Sequence, residues 1–192
     1  MTDHLQRCAW VSDNALYQQY HDQEWGVPVY DEFALFECLC LETQQAGLSW
    51  ITVLKKRQRY REQFFHLSIA EIAQLSDADL LEKSQDAGLI RHLAKLQAIR
   101  SNAQAWLNLK QQLAAQGQDI VDWFWQFVAQ QPIVRDVTQP SDVPAQTEIS
   151  VQMSKTLKKL GFKFVGATIC YAFMQAVGMV NDHENHCFCK SP

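Results

Sequence analysis

Cys8, His21, His183 and Cys187 are the residues of this chain whose types and placement most clearly invite chemistry. The first two stand in RCAWVSDNALYQQYHDQEWG and the others in NDHENHCFC, at opposite ends of 192 residues. Neutral imidazole and thiolate are the donors Zn2+ prefers, and two of each fill a closed tetrahedral shell. One ion held this way would staple the N-terminal segment to the C-terminal one. Other sets can be drawn: His4 and Cys8 repeat the spacing of His183 and Cys187, while His186 and Cys189 lie within reach. His21 is preferred to His4 because its helix holds it beside Tyr17 and Tyr20.

A second constellation gathers Trp10, Tyr17, Tyr20, Trp25, Glu42, Gln44, Gln45 and Trp50. Aromatic rings this crowded, most with a polar tip, suit a cavity that sandwiches a flat ligand. A carboxylate among them is partly desolvated and able to accept hydrogen bonds from a cationic or amino-bearing ring. The bland alternative, that Trp10, Trp25 and Trp50 are ordinary core, stays open on pattern alone.

The elements that must position these residues read as helices almost throughout. Apolar residues recur at helical spacing, as in Phe33, Phe36, Leu39 and Cys40 or Leu89, Leu93, Leu96 and Ile99, and few runs alternate like strands. Helices are expected near 15–23, 32–43 and 49–64, followed by two short ones, the second opening after Ser76-Asp77 and ending at Gly88. A longer helix covers 91–112, Asp119 opens a short aromatic one, and 131–149, with three prolines, reads as a surface loop. Ser150 is the expected cap of a helix to Leu160, and Phe164–Val177 forms the last. The fold class is all-α, with 1–192 as one domain.

Composition bounds the rest. Apolar and charged fractions of 47% and 20% are those of a globular protein. MTDHLQRCAW has no apolar core and FVGATICYAFM is too short to span a bilayer, so neither signal peptide nor membrane partner is expected. Six cysteines in a chain of this size do not suggest a disulfide framework, and Cys38, Cys40 and Cys170 sit in apolar helical surroundings as buried thiols. Together these features point to a reducing cytoplasm. A net charge of −4 argues against non-specific nucleic-acid binding, but distribution counts for more. Basic clusters lie at 55–61, 91–100 and 155–163, two beside glycine-containing hairpins. Each alone is a solvated helix face; three together favour a phosphate-binding side.

CAWVSDNALYQQYHDQEWGVPVYDE, LFECLCLETQQAGLSWITVLKKR, QDAGLIRHLAKLQAI and LKKLGFKFVGATICYAFMQAVGMVNDH resemble the 3-methyladenine DNA glycosylase I family, in order, from Arg7 to about Cys187. The resemblance implies an all-α fold of the helix-hairpin-helix glycosylase superfamily and excision of 3-methyladenine from alkylated double-stranded DNA. By position it makes Glu42 the carboxylate that holds the damaged base, and a candidate for steadying charge on the sugar. Trp50 and Tyr20 become stacking partners, with Tyr17, Trp10 and Trp25 lining the pocket. Gln45, Gly47 and Leu48 fall where the family's loop plugs the gap left by the flipped base, and Lys163 lies in a DNA-contacting hairpin. Cys8, His21, His183 and Cys187 match the structural zinc ligands; the chain is expected to act as a monomer. Leu93-Ala94 departs from the family, which often has a basic residue and a glycine there. Two rivals remain: a zinc-dependent hydrolase with an open coordination position, and a lesion-binding module that excises nothing.

Overall fold

A computed structural model describes residues 5–190, so His4 lies outside the described residues. Among them nine α-helices follow in chain order: α1 (Ala15–Gln23), α2 (Glu32–Gln45), α3 (Trp50–Tyr60), α4 (Ile69–Ala73), α5 (Asp77–Lys83), α6 (Leu93–Ala114), α7 (Ile120–Trp125), α8 (Glu148–Lys159) and α9 (Ala167–Ala176). A turn of π-helix, Arg61–Phe65, prolongs α3, and 3-10 turns cover Gln126–Val128 and Pro140–Asp142.

Short polar side chains set where these helices begin. The Asn14 carboxamide oxygen accepts from the N–H groups of Leu16 and Tyr17, and Asp31 accepts from Ala34. Ser68 with Glu71 and Ser76 with Asp79 form reciprocal capping boxes. Each such cap contributes about 1 kcal/mol by satisfying otherwise orphaned donors.

α2 is the central rod. Leu35, Phe36, Leu39 and Cys40 are fully buried, and α6 and α9 pack against it. A helix apolar on nearly every side is stable only when enclosed, which is why the sequence shows no clean polar face here. Trp106 on α6 donates its indole N–H to Glu32 at the start of α2 (3.1 Å), and Trp125 on α7 donates to the Val29 carbonyl (2.9 Å). α8 and α9 form a packed hairpin. Cys40 and Cys170 are buried and Cys38 half-buried, all as free thiols. Among the described residues no helix is long and apolar enough to cross a membrane.

Several expected boundaries move. Thr147, not Ser150, caps α8: its hydroxyl accepts from the Ser150 N–H while Ser150 returns the bond to the Thr147 N–H (2.9 Å). α9 begins at Ala167 because Phe164 sits at φ +56, outside helical space. α5 stops at Lys83, where Asp86 organises a turn of its own. The 131–149 loop hides a two-residue strand, β1 (Ile133–Val134), paired in parallel with β2 (Val180–Asn181) in the register Ile133 to Val180.

The turn after α9 needs glycine. Gly178 has φ +73, and a Cβ there would stand 2.4 Å from the Pro28 nitrogen and the Val27 carbonyl carbon. Left-handed strain and a backbone clash act together, so Gly178→Ala is expected to cost about 3 kcal/mol or more. A melting temperature roughly 10 °C below wild type is the expected result; an unchanged one would mean that the 27–28 segment yields freely.

Candidate functional site

Five elements converge on one cavity. Helix α1, one turn after its Asn14 cap, carries Tyr17 and Tyr20 three residues apart and so on one face. Trp10 precedes it and Trp25 follows. The last turn of α2 delivers Glu42 and Gln45, and the turn beyond it brings back Trp50 as the first residue of α3. These seven residues line a cavity of about 340 Å³, closed by Pro140, Val143, Ala172, Gln175 and Glu184. Trp10 meets its neighbours edge to face, 4.9 Å from Tyr17 and 5.0 Å from Trp25, while Tyr20 lies tilted against Trp50 at 5.3 Å.

Two polar atoms in this wall are unspent. The Glu42 Oε2 and Trp50 Nε1 atoms are buried and have no hydrogen-bond partner among the described residues. An orphaned acceptor and an orphaned donor each cost roughly 1–3 kcal/mol, a cost usually tolerated where a ligand completes the pair. Burial pushes the Glu42 carboxyl up to about 8. The Tyr20 hydroxyl is raised well above its usual range, by burial first and by the Glu42 charge second.

Glu184 and Gln175 were not legible as pocket residues. Gln175 stands three residues after Ala172 on one face of α9, inside an apolar run that reads as core. Its amide donates to Asp182 Oδ2 (2.8 Å), which also takes the Tyr171 hydroxyl. Glu184 is buried and accepts the Ala9 N–H (2.6 Å), a contact across 175 positions that no local pattern announces.

Behind the pocket the chain ends meet. The ligand atoms of His21, His183, Cys187 and Cys189 all lie within 4.8 Å of one another. Both rings carry the outer partner that metal-binding histidines have. His183 Nδ1 bonds Asn181 Oδ1 (3.0 Å) and leaves Nε2 buried without a partner among the described residues; His21 Nδ1 bonds Asp22 (2.8 Å) and turns Nε2 to the Cys187 sulfur (3.4 Å). Burial lowers the His183 pKa to about 4, keeping the ring in the neutral, ligating form. Cys8 is buried beside Cys187 and its sulfur accepts the Glu184 N–H (3.3 Å), whereas Cys189 stands 4.0 Å from His21 Nδ1, the nitrogen already turned to Asp22. Gly26 makes room for the His183 ring: a Cβ there would fall 2.7 Å from Cε1. The donor set fits a soft divalent ion.

The basic clusters part company. Arg57 pairs with Glu24, Arg59 with Glu62 and Asp86, and Arg61 with Glu37, so the 55–61 cluster is largely neutralised. Lys155, Lys158, Lys159 and Lys163 are exposed and enter no ion pair among the described residues. The hairpin N–H groups are less free than their glycines suggest. Those of Gly88 and Ile90 go to Asp86 Oδ1 and the Tyr60 hydroxyl, and those of Phe162 and Lys163 go to the Leu157 carbonyl and Asn102 Oδ1. Gly47 and Leu48 are exposed and Gln45 is half-buried.

A mostly helical fold closes an aromatic cavity around an unpartnered carboxyl, a site whose shape and chemistry suit one flat, electron-poor ring. The methyladenine glycosylase family model matches residues 10–190, and the chain belongs to that family of glycosylases. It is 52% identical over 185 residues to the DNA-3-methyladenine glycosylase 1 of Escherichia coli, covering 96% of this chain and 97% of that one. A crystal structure of 3-methyladenine DNA glycosylase I superposes with a TM-score of 0.91 at 50% identity, covering 97% of this chain and all of the other. A variant of 3-methyladenine DNA glycosylase I, solved in complex with 3-methyladenine, gives 0.90 at 34% identity over 97% and 98% of the two chains.

Proposed function

We propose that the protein removes 3-methyladenine from alkylated double-stranded DNA by hydrolysing the N-glycosidic bond and leaving an abasic site. The observation that carries this reading is the aromatic cavity with its buried, unpartnered Glu42 oxygen. Methylation at N3 puts a positive charge on adenine, so the glycosidic bond is already weak and the base departs neutral. Little acid catalysis is needed. The nucleotide must leave the stack, and damaged bases cost least to extrude. Trp and Tyr faces attract the cationic ring by roughly 0.5–2 kcal/mol each. Glu42 accepts from the exocyclic amine and, once ionised, opposes the ring's charge. Neutral adenine gains little from either device.

The C1′–N bond breaks with its electron pair going to the base, water oxygen bonds to C1′, and the water's second proton passes to solvent. The Glu42 charge also steadies the cationic sugar in the transition state. No lysine lines the cavity, so a Schiff base and strand cleavage are not expected.

Tyr20 and Trp50 stack on the base, Trp10, Tyr17 and Trp25 enclose it, and Gln45, Gly47 and Leu48 fill the gap it leaves. Since the hairpin N–H groups are engaged, phosphate contact falls to Lys163 and its neighbours on α8. Cys8, His21, His183 and Cys187 would hold one structural Zn2+, which would supply cross-linking of the N- and C-terminal segments and nothing to the reaction. His21, His183 and Cys187 do not line the cavity, which disfavours a zinc hydrolase. The chain works as a single-domain monomer.

The test is incubation with DNA treated with a methylating agent and chromatography of the freed bases. Wild type should release 3-methyladenine, and Trp50→Ala should release it at least tenfold more slowly. Tight binding of methylated duplex with no free base would leave the lesion-binding module standing instead.

A further inference from the structure

Lys95 is a buried cation with an unusual set of partners. It is 5% exposed, pairs with no carboxylate among the described residues, and donates instead to the main-chain oxygens of Gln44 (2.8 Å) and Ala46 (2.7 Å). These are among the last carbonyls of α2 and its cap, the negative end of the helix dipole. An ordinary helix end needs a glycine or water, not a desolvated ammonium.

The contact belongs to a closed polar circuit. The Gln44 side chain donates back to the Lys95 carbonyl (3.1 Å) and accepts from the Tyr60 hydroxyl (3.1 Å), which in turn takes the Ile90 N–H (3.2 Å). Gln44 and Tyr60 are both fully buried. One circuit therefore joins the end of α2, α3, the hairpin before α6 and α6 itself. The chain leaves it directly into Gln45, Gly47 and Leu48, with Leu48 41% exposed.

We propose that Lys95 is a positioning residue for base eversion, its ammonium bracing the 45–48 loop so that Leu48 keeps its height when pressed against a base stack. The proposal rests on the excision reading above. A loop that must enter a duplex is pushed back by stacking, and charge-assisted bonds at its root resist that push better than apolar packing does.

Lys95→Met keeps the length of the side chain and removes the donors. Release of 3-methyladenine from methylated duplex should fall at least tenfold. Affinity for free 3-methyladenine, read by quenching of tryptophan fluorescence, should stay within twofold because Lys95 itself does not line the pocket. The loss should also largely vanish in a Leu48→Ala background, since both changes disable one device. A parallel fall in free-base affinity, additive losses in the double variant, or excision at the wild-type rate would each overturn the proposal. Should the methionine variant fail to fold, Lys95→Gln is read by the same three measurements. A wild-type protein that frees no base at all fails the excision reading itself, before any variant is compared, and the proposal falls with it.

Discussion

Glu42→Gln is expected to slow excision at least tenfold and at the same time to stabilise the folded protein. The two effects have one cause. Burial lifts the carboxyl from 4.5 to about 8, so near neutral pH it stays protonated in the folded chain and ionises in the unfolded one. A folded-state pKa above the unfolded value means that the folded form binds the extra proton. Stability is therefore full below pH 4.5 and is lost as pH rises through about 8. Between pH 4.5 and pH 7 the loss is on the order of 3 kcal/mol. The amide cannot ionise, so the variant should melt higher by a margin that is smallest near pH 5 and widens towards pH 8, reaching roughly 5 °C or more. Activity runs the other way. The ionised carboxyl is the form that faces a cationic base, so wild-type kcat/KM should climb as pH rises through about 8, and the variant should lack that limb. A melting difference that ignores pH, or a variant that excises as fast as wild type, would remove Glu42 from the role assigned to it.

This carboxyl also shows what the sequence could and could not reveal. Its place in the last turn of α2 followed from helical spacing, as did the shared face of Tyr17 and Tyr20. Those are short-range relations, which periodicity records. Spacing alone left open whether the crowded rings enclose a pocket or pack as core. Glu184 is held at the same cavity by a contact with Ala9 across 175 positions, and Gln175 enters it from an apolar run that reads as core, so no local signal marks either. Helix starts were legible where one side chain decides them, as at Asn14 and Asp119, and less so at α8, where Thr147 and Ser150 share the cap. The strand pair at Ile133 and Val180 is too short for alternation to register. The hairpins at Gly88 and Gly161 read from sequence alone as ordinary glycine-ended turns, and which donors stay free was not legible: Asp86, Tyr60 and Asn102 occupy neighbouring N–H groups, and only tertiary packing discloses that.

Removing a metal ligand should have the other large effect, and the choice of cysteine is the informative part. Protein purified without chelator should carry about one zinc per chain. Cys187→Ser and Cys8→Ser should both lose it, with a melting temperature lower by roughly 10 °C or more, whereas Cys189→Ser should keep metal and stability. The two sulfurs meet different nitrogens of the His21 ring. Cys187 stands 3.4 Å from Nε2, the free nitrogen, and Cys189 stands 4.0 Å from Nδ1, which Asp22 already holds at 2.8 Å. Cys8 in turn receives the Glu184 N–H, a bond that favours a thiolate, while burial pushes its pKa up to about 12 unless a cation offsets it. Loss of the metal should reach the pocket as well, because Trp25 packs 4.6 Å from the His183 ring and Trp10 lies 5.3 Å from His21. A loosened aromatic wall binds the base less tightly but leaves Glu42 in place, so KM should rise more than kcat falls. A Cys189 variant that loses zinc while the Cys8 variant retains it would reassign the fourth ligand. Metal-free protein with an unchanged melting temperature would reject the staple altogether.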